Sequence, residues 1–106
     1  HPLRANNLKV DKTLNHQHRR EIEQTLRDAG AGADTQLHFV PVSAPLTRGI
    51  LANSFVSVPE TYDLATLRQL YRDYYGEDGF VRVLEGTRSA EVVAVKGSMW
   101  VDLSLA

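Results

Sequence analysis

Leu37-His-Phe-Val-Pro-Val-Ser-Ala-Pro-Leu-Thr-Arg-Gly-Ile-Leu51 reads as two strands with a loop between them. Leu37, Phe39 and Pro41 alternate with His38, Val40 and Val42, the period of a pleated strand. Proline cannot donate to a ladder, so that strand ends, or lies at an edge, at Pro41. A loop over Ser43–Arg48 then leads into a longer strand, Gly49–Val58, with Ile50, Ala52, Ser54 and Val56 on one face. Leu51, Asn53, Phe55 and Ser57 form the other, and Pro59 stops it. Two apolar strands joined by an irregular loop, with one arginine and one glycine at its lip, set a sheet at the centre of the chain.

Working outward, Leu8 and Val10 flank Lys9 in a short strand pattern, behind a loose entry over residues 1–7. Ile22, Leu26 and Ala29 share one helical face and place a helix over Arg19–Ala29. Asn15 or the His16 side chain caps its start, and Gly30 and Gly32 end it. Asp63 N-caps a second helix through Tyr75, with Leu64, Leu67, Tyr71 and Tyr74 on one side and Gly76 at the end. Phe80–Leu84, Glu91–Val95 and Met99–Leu105 read as strands separated by turns at Gly86–Ser89 and Gly97-Ser98. The order is β-α-β-β-α-β-β-β. Few helices and short connections favour an α+β layer, a mainly antiparallel sheet with two helices packed on one face.

Composition bounds the function. The 106 residues fit one domain, and 42% apolar with 24% charged residues describes a globular chain instead of a disordered one. Twelve basic and thirteen acidic residues nearly cancel, without a basic block, so neither nucleic acid nor a membrane surface is an expected partner. No apolar run approaches the roughly 20 residues of a membrane span. The first residues, His-Pro-Leu-Arg, carry neither an initiator Met nor a signal-peptide core, so a processed or excised piece is expected, with a cytoplasmic setting. Without cysteine there is no disulfide, thiolate ligand or thiol nucleophile. Gly30-Ala-Gly32 follows a helix instead of opening one, so it is no dinucleotide fingerprint.

Candidate chemistry gathers at His16-Gln-His-Arg-Arg-Glu21. Imidazoles exchange protons near neutral pH, so His16 suits general acid or base work. Glu21, in the first helical turn, could hydrogen-bond an imidazole and fix its tautomer, although the helix dipole alone favours a carboxylate there. His16-x-His18 could also ligate zinc with His38 or His1. The strand alternation that such a pair needs breaks at the helix start, and no further cluster follows, so no metal site is expected. Arg48 offers a planar fork for carboxylate or phosphate, and Gly49 allows close backbone approach. The competing explanation is an arginine paired with a local acid beside a glycine bulge.

Asn15-His-Gln-His-Arg-Arg-Glu-Ile22 resembles the Gly-His-Arg-His-x-x-Glu-Ile segment of the N-acetyl-γ-glutamyl-phosphate reductases and the related aminoadipyl-phosphate reductases of lysine biosynthesis. Phe39-Val-Pro-Val-Ser-Ala-Pro-Leu-Thr-Arg-Gly-Ile-Leu51 resembles their Phe-x-Pro-His-x-x-Pro-Met-x-Arg-Gly-Ile-Leu segment. A Tyr-containing helix end near Leu70–Tyr75 and the Gly97-Ser98 turn follow in the same order. Asn15, Gln17, Val42 and Met99 depart from the family pattern, so glutamyl and aminoadipyl chains both stay open.

The resemblance implies that residues 1–106 are a single substrate-binding and dimerisation domain, like the C-terminal domain of glyceraldehyde-3-phosphate dehydrogenase. It implies a separate Rossmann-type domain that holds NADPH, and homo-oligomerisation through the sheet. A cysteine absent from this sequence would form a thioester for reduction to N-acetyl-glutamate semialdehyde in arginine biosynthesis. His16 matches the acid/base histidine and Glu21 the carboxylate that assists it, with Arg48 and His18 as substrate-binding candidates. The chain alone is therefore expected to be inactive. The rival is a non-catalytic α+β interaction module. A concavity shared by His16 and Arg48 separates the two readings.

Overall fold

The structure, a computed structural model, describes residues 6–76 and 79–106. His1 and most of the expected entry loop lie outside the described residues. The chain divides into two compact units, residues 1–46 and 47–106.

In the first unit, β1 (Lys9–Val10) pairs antiparallel with β2 (Val42–Ser43), in the register Lys9↔Ser43 and Val10↔Val42. Two further bonds prolong the contact, Asp11 N–H to the Pro41 carbonyl at 3.0 Å and Leu14 N–H to that of Phe39 at 3.2 Å. Pro41 therefore joins the pairing through its carbonyl, the one backbone group it keeps. The ladder is shorter than the Leu37–Val42 strand read from alternation, because regular pairing begins only after Pro41.

Helix α1 spans His18–Asp28, and Gln17 stands at its N-cap without a side-chain cap bond. It ends by chemistry the sequence announced. Gly30 takes φ 103°, its N–H bonds to the Arg27 carbonyl at 2.9 Å, and the Ala31 N–H reaches back to Leu26 at 2.9 Å. This pair of bonds closes the last turn as a Schellman motif, whose left-handed residue glycine adopts without Cβ strain.

In the second unit, α2 covers Leu64–Tyr75, and the Asp63 carboxylate accepts the Thr66 N–H at 2.7 Å. That contact holds the Asp63 carboxyl below the usual carboxylate range. Gly76, at φ 53°, terminates the helix. Strands β3 (Val81–Val83) and β4 (Val101–Leu103) run parallel, with Val81↔Val101, Arg82↔Asp102 and Val83↔Leu103 as partners. Helix α2 lies against β3. Arg68 fastens it by donating to the carbonyls of Gly86 at 2.6 Å and Leu105 at 3.1 Å. Leu84 is the buried apolar side chain among the described residues.

Three expectations are corrected. The sheet is not one mainly antiparallel layer: the described residues form one antiparallel and one parallel two-stranded pair. Parallel partners need a crossover of about a dozen residues or more, and residues 84–100 provide it. Within that crossover Val92–Val95 is a short helix, α3, where Val-Val-Ala-Val read as a strand. Bonds from Ala94 N–H to Glu91 and from Lys96 N–H to Val92, at 3.2 and 3.0 Å, curl the segment despite its β-branched residues. Gly49–Val58 forms no strand, for it finds no ladder partner among the described residues. Its apolar side chains stand in solvent, with Phe55 99%, Ile50 89% and Val56 76% exposed. The α2 stripe is likewise open: Leu67 is half-buried, but Leu64, Tyr71 and Tyr74 are exposed.

Candidate active site

The concentration of imidazoles seen in the sequence becomes a small cluster at the entry of α1. The loop before it bends tightly, with Lys12 and Leu14 at φ 45° and 58°. These are left-handed values that cost a non-glycine residue of the order of 1 kcal/mol or more. The bend is held by Asn15 N–H to the Lys12 carbonyl at 3.0 Å and by Leu14 N–H to Phe39. It delivers His16 half-buried against the ring of Phe39, edge-on at 5.6 Å between centroids, and 4.6 Å from the ring of His18.

His16 caps the helix in part, as its position suggested. Its Nδ1 accepts the His18 backbone N–H at 3.2 Å, and its carbonyl accepts that of Arg19 at 3.0 Å. An accepting Nδ1 places the single proton of a neutral ring on Nε2. His16 is thus oriented through one nitrogen, which leaves the other for chemistry.

Glu21 takes a different place from the one assigned to it. Its Oε2 lies 3.9 Å from Nε2 of His18, with both side chains largely exposed. No hydrogen bond or ion pair joins it to His16 among the described residues. Helical geometry is the reason, since positions three apart stack on one face and His18, inside the helix, is the neighbour Glu21 meets. The next carboxylate, Glu23, is taken by Arg19 at 2.9 Å.

A cavity of about 500 Å³ opens beside this cluster, lined by Lys12, Asn15, His16, Gln17 and Arg20. It is an open depression whose lining side chains, His16 apart, are exposed. Lys12 and Arg20 were not singled out from the sequence. Lys12 reaches the site because of its left-handed backbone, which no local pattern announces.

Arg48 belongs to the second unit, where it is exposed and free of ion pairs among the described residues. Gly49 follows it at φ 98°. A Cβ built on Gly49 would lie 2.6 Å from Cγ1 of Val92, so the close backbone approach expected at this glycine is made by α3. His38 is exposed, and no group of three or more metal-ligating side chains occurs among the described residues. No helix among them is long and apolar enough to cross a membrane.

Sequence comparison places the whole chain in one family. The family model described as semialdehyde dehydrogenase, dimerisation domain, matches residues 1–106. The chain belongs to that family. Among its relatives, the N-acetyl-gamma-glutamyl-phosphate reductase of Acetivibrio thermocellus is 33% identical over 99 residues, covering 93% of this chain and 28% of the relative. The reductase of the same name from Dictyoglomus thermophilum is 30% identical over 100 residues, 94% of this chain and 29% of its own. That of Staphylococcus aureus strain USA300 is 34% identical over 99 residues, 93% and 29% respectively. The chain thus spans less than a third of the length of these relatives. No solved structure matches it.

Proposed function

We propose that this member of the dimerisation-domain family serves an NADPH-dependent reductase that converts N-acetyl-γ-glutamyl phosphate to N-acetyl-glutamate semialdehyde in arginine biosynthesis, within the cytoplasm. The observation that carries the reading is His16: half-buried, oriented through Nδ1, and lining that depression. Relatives that bear the reductase name align over 93% of the chain, which supports the substrate class.

Reduction of a thioester carbonyl develops negative charge on oxygen, and a positioned acid beside that oxygen lowers the barrier. His16 Nε2–H is the group this chain offers for that proton. His18, its ring 4.6 Å from that of His16, lies next to it and offers a second N–H donor to an anionic substrate. Arg48, exposed and without an ion-pair partner among the described residues, offers its fork to a substrate carboxylate. The nucleophilic thiol comes from outside this sequence, which has no cysteine. The described residues do not fit a dinucleotide site either, for no glycine-rich turn opens a helix. NADPH is assigned mainly to a Rossmann-type domain, and this chain's share of the chemistry is binding and proton movement.

The exposed segment 49–58 fits the dimerisation role. Its alternation is that of a strand, yet Ile50, Phe55 and Val56 lack cover. Paired across copies of the chain, it would complete the sheet and bury these side chains, each worth about 1.5–3 kcal/mol when fully removed from water.

The test combines this chain with a cysteine-bearing nucleotide domain of the same enzyme and follows NADPH oxidation with the acyl phosphate. Activity that needs both parts is the expected result. Turnover by the chain alone, or none by the combination or by the full-length protein, would refute the proposal.

A further inference from the structure

We infer that the cavity beside His16 is a seat for a phosphate dianion, formed by Lys12 and Arg20, and that it receives the phosphoryl group of the acyl phosphate. The inference rests on the reductase reading above for the identity of its ligand, though not for its chemistry. Five residues line the cavity, two are cations, and none is a carboxylate. Two carboxylates of α1 face other side chains. Glu23 holds Arg19 at 2.9 Å, and Glu21 faces His18 at 3.9 Å. Among the described residues neither Lys12 nor Arg20 has an ion-pair partner.

Two cations without an ion-pair partner among the described residues line one concavity, an arrangement that an anion complements. Asn15 and Gln17 add amide donors at the same wall. Lys12, at φ 45°, lies in the bend before the helix and lines the same pocket. The seat adjoins His16, and a phosphoryl group held there keeps the attached acyl carbon within reach of the proton donor. Lys12 and Arg20 are accordingly binding residues that set KM, distinct in effect from His16.

Both side chains are solvent-exposed, so each contributes modestly and in a salt-dependent way. In the full-length protein, Lys12→Gln and Arg20→Gln each raise KM for the acyl phosphate about 3–5-fold, and the pair about 10-fold or more, with kcat moved far less. Lys12→Arg restores most of the loss. Independently of turnover, inorganic phosphate shifts the His16 ring resonances in a saturable manner, weakened in the double variant and at high salt.

Resonances that ignore phosphate, or a double variant with unchanged KM and phosphate response, would overturn the seat. A rise in KM for NADPH with that for NADH fixed would overturn the acyl-phosphate assignment, because the ligand would then be the nucleotide's extra phosphate. Phosphate binding in a protein without reductase activity would uphold the dianion seat and remove the functional reading instead.

Discussion

Gly49→Ala tests the architecture around Arg48 in quantitative terms. At φ 98° an L-residue is strained, at a cost of about 1–2 kcal/mol. The added Cβ would meet Cγ1 of Val92 at 2.6 Å, closer than real carbon contacts allow. Because Val92 is half-buried in α3, its side chain yields only partly, and overpacking of this kind costs about 1–3 kcal/mol. The two effects sum to roughly 3 kcal/mol, a large fraction of the about 5–15 kcal/mol that holds a domain together. Urea unfolding of the full-length protein should show a lower midpoint with little change of slope. Val92→Ala in the Gly49→Ala background should recover the steric share, about 1–2 kcal/mol, and leave the conformational share in place. A Gly49→Ala loss below about 0.5 kcal/mol would rule out the strained glycine and its contact with Val92, as would a cycle in which trimming Val92 recovers nothing.

Three further outcomes follow from other parts of the structure. Asp102, whose side chain is 6% exposed, receives Arg82 through two bonds of 2.6 and 3.0 Å, and the guanidinium lies 4.8 Å from the Trp100 ring centre. Arg82→Ala strands that carboxylate and should cost about 2 kcal/mol by thermal unfolding, a buried-pair penalty discounted because Arg82 is 41% exposed. Asp63→Ala should lower amide exchange protection in the first turn of α2, and Asp63→Asn should retain most of it. Since the Asp63 carboxyl is depressed on folding, its contribution is complete above the ordinary carboxylate range and is lost as pH falls through the lowered native value. Phe55→Asp on the exposed 49–58 segment should shift sedimentation of the protein toward monomer while preserving the far-ultraviolet circular dichroism of α1 and α2. An unchanged assembly would remove that segment from the interface.

Elements with local signals were legible before any coordinates. Asp63 and Gly76 bracket α2 as capping chemistry requires, and Gly30 closes α1 through bonds that depend on its positive φ. The short Lys9–Val10 strand was legible for the same reason. What escaped depends on partners distant in sequence. Alternation in 49–58 states that a strand is affordable, not that an edge exists to receive it. It also carries no information on direction, so the parallel match of Arg82 with Asp102 was invisible. Val92–Val95 shows β-branched preference overruled by a tight connection before Gly97. At the site, His16 and His18 stood out by residue type. The orientation of His16 through Nδ1, the turn of Glu21 toward His18, and the arrival of Lys12 follow from helix phase and two left-handed residues, neither readable as a motif.

The most direct test of the role given to His16 is the turnover of His16→Gln in the full-length protein, with NADPH and N-acetyl-γ-glutamyl phosphate. Glutamine keeps a polar side chain of similar reach but cannot shuttle a proton. Loss of a positioned proton donor should lower kcat by about 100–10,000-fold in a protein that still folds. A folded His16→Gln protein that retains kcat within about three-fold would contradict the assignment, because a difference so small, under 1 kcal/mol, leaves no proton transfer for this imidazole to perform.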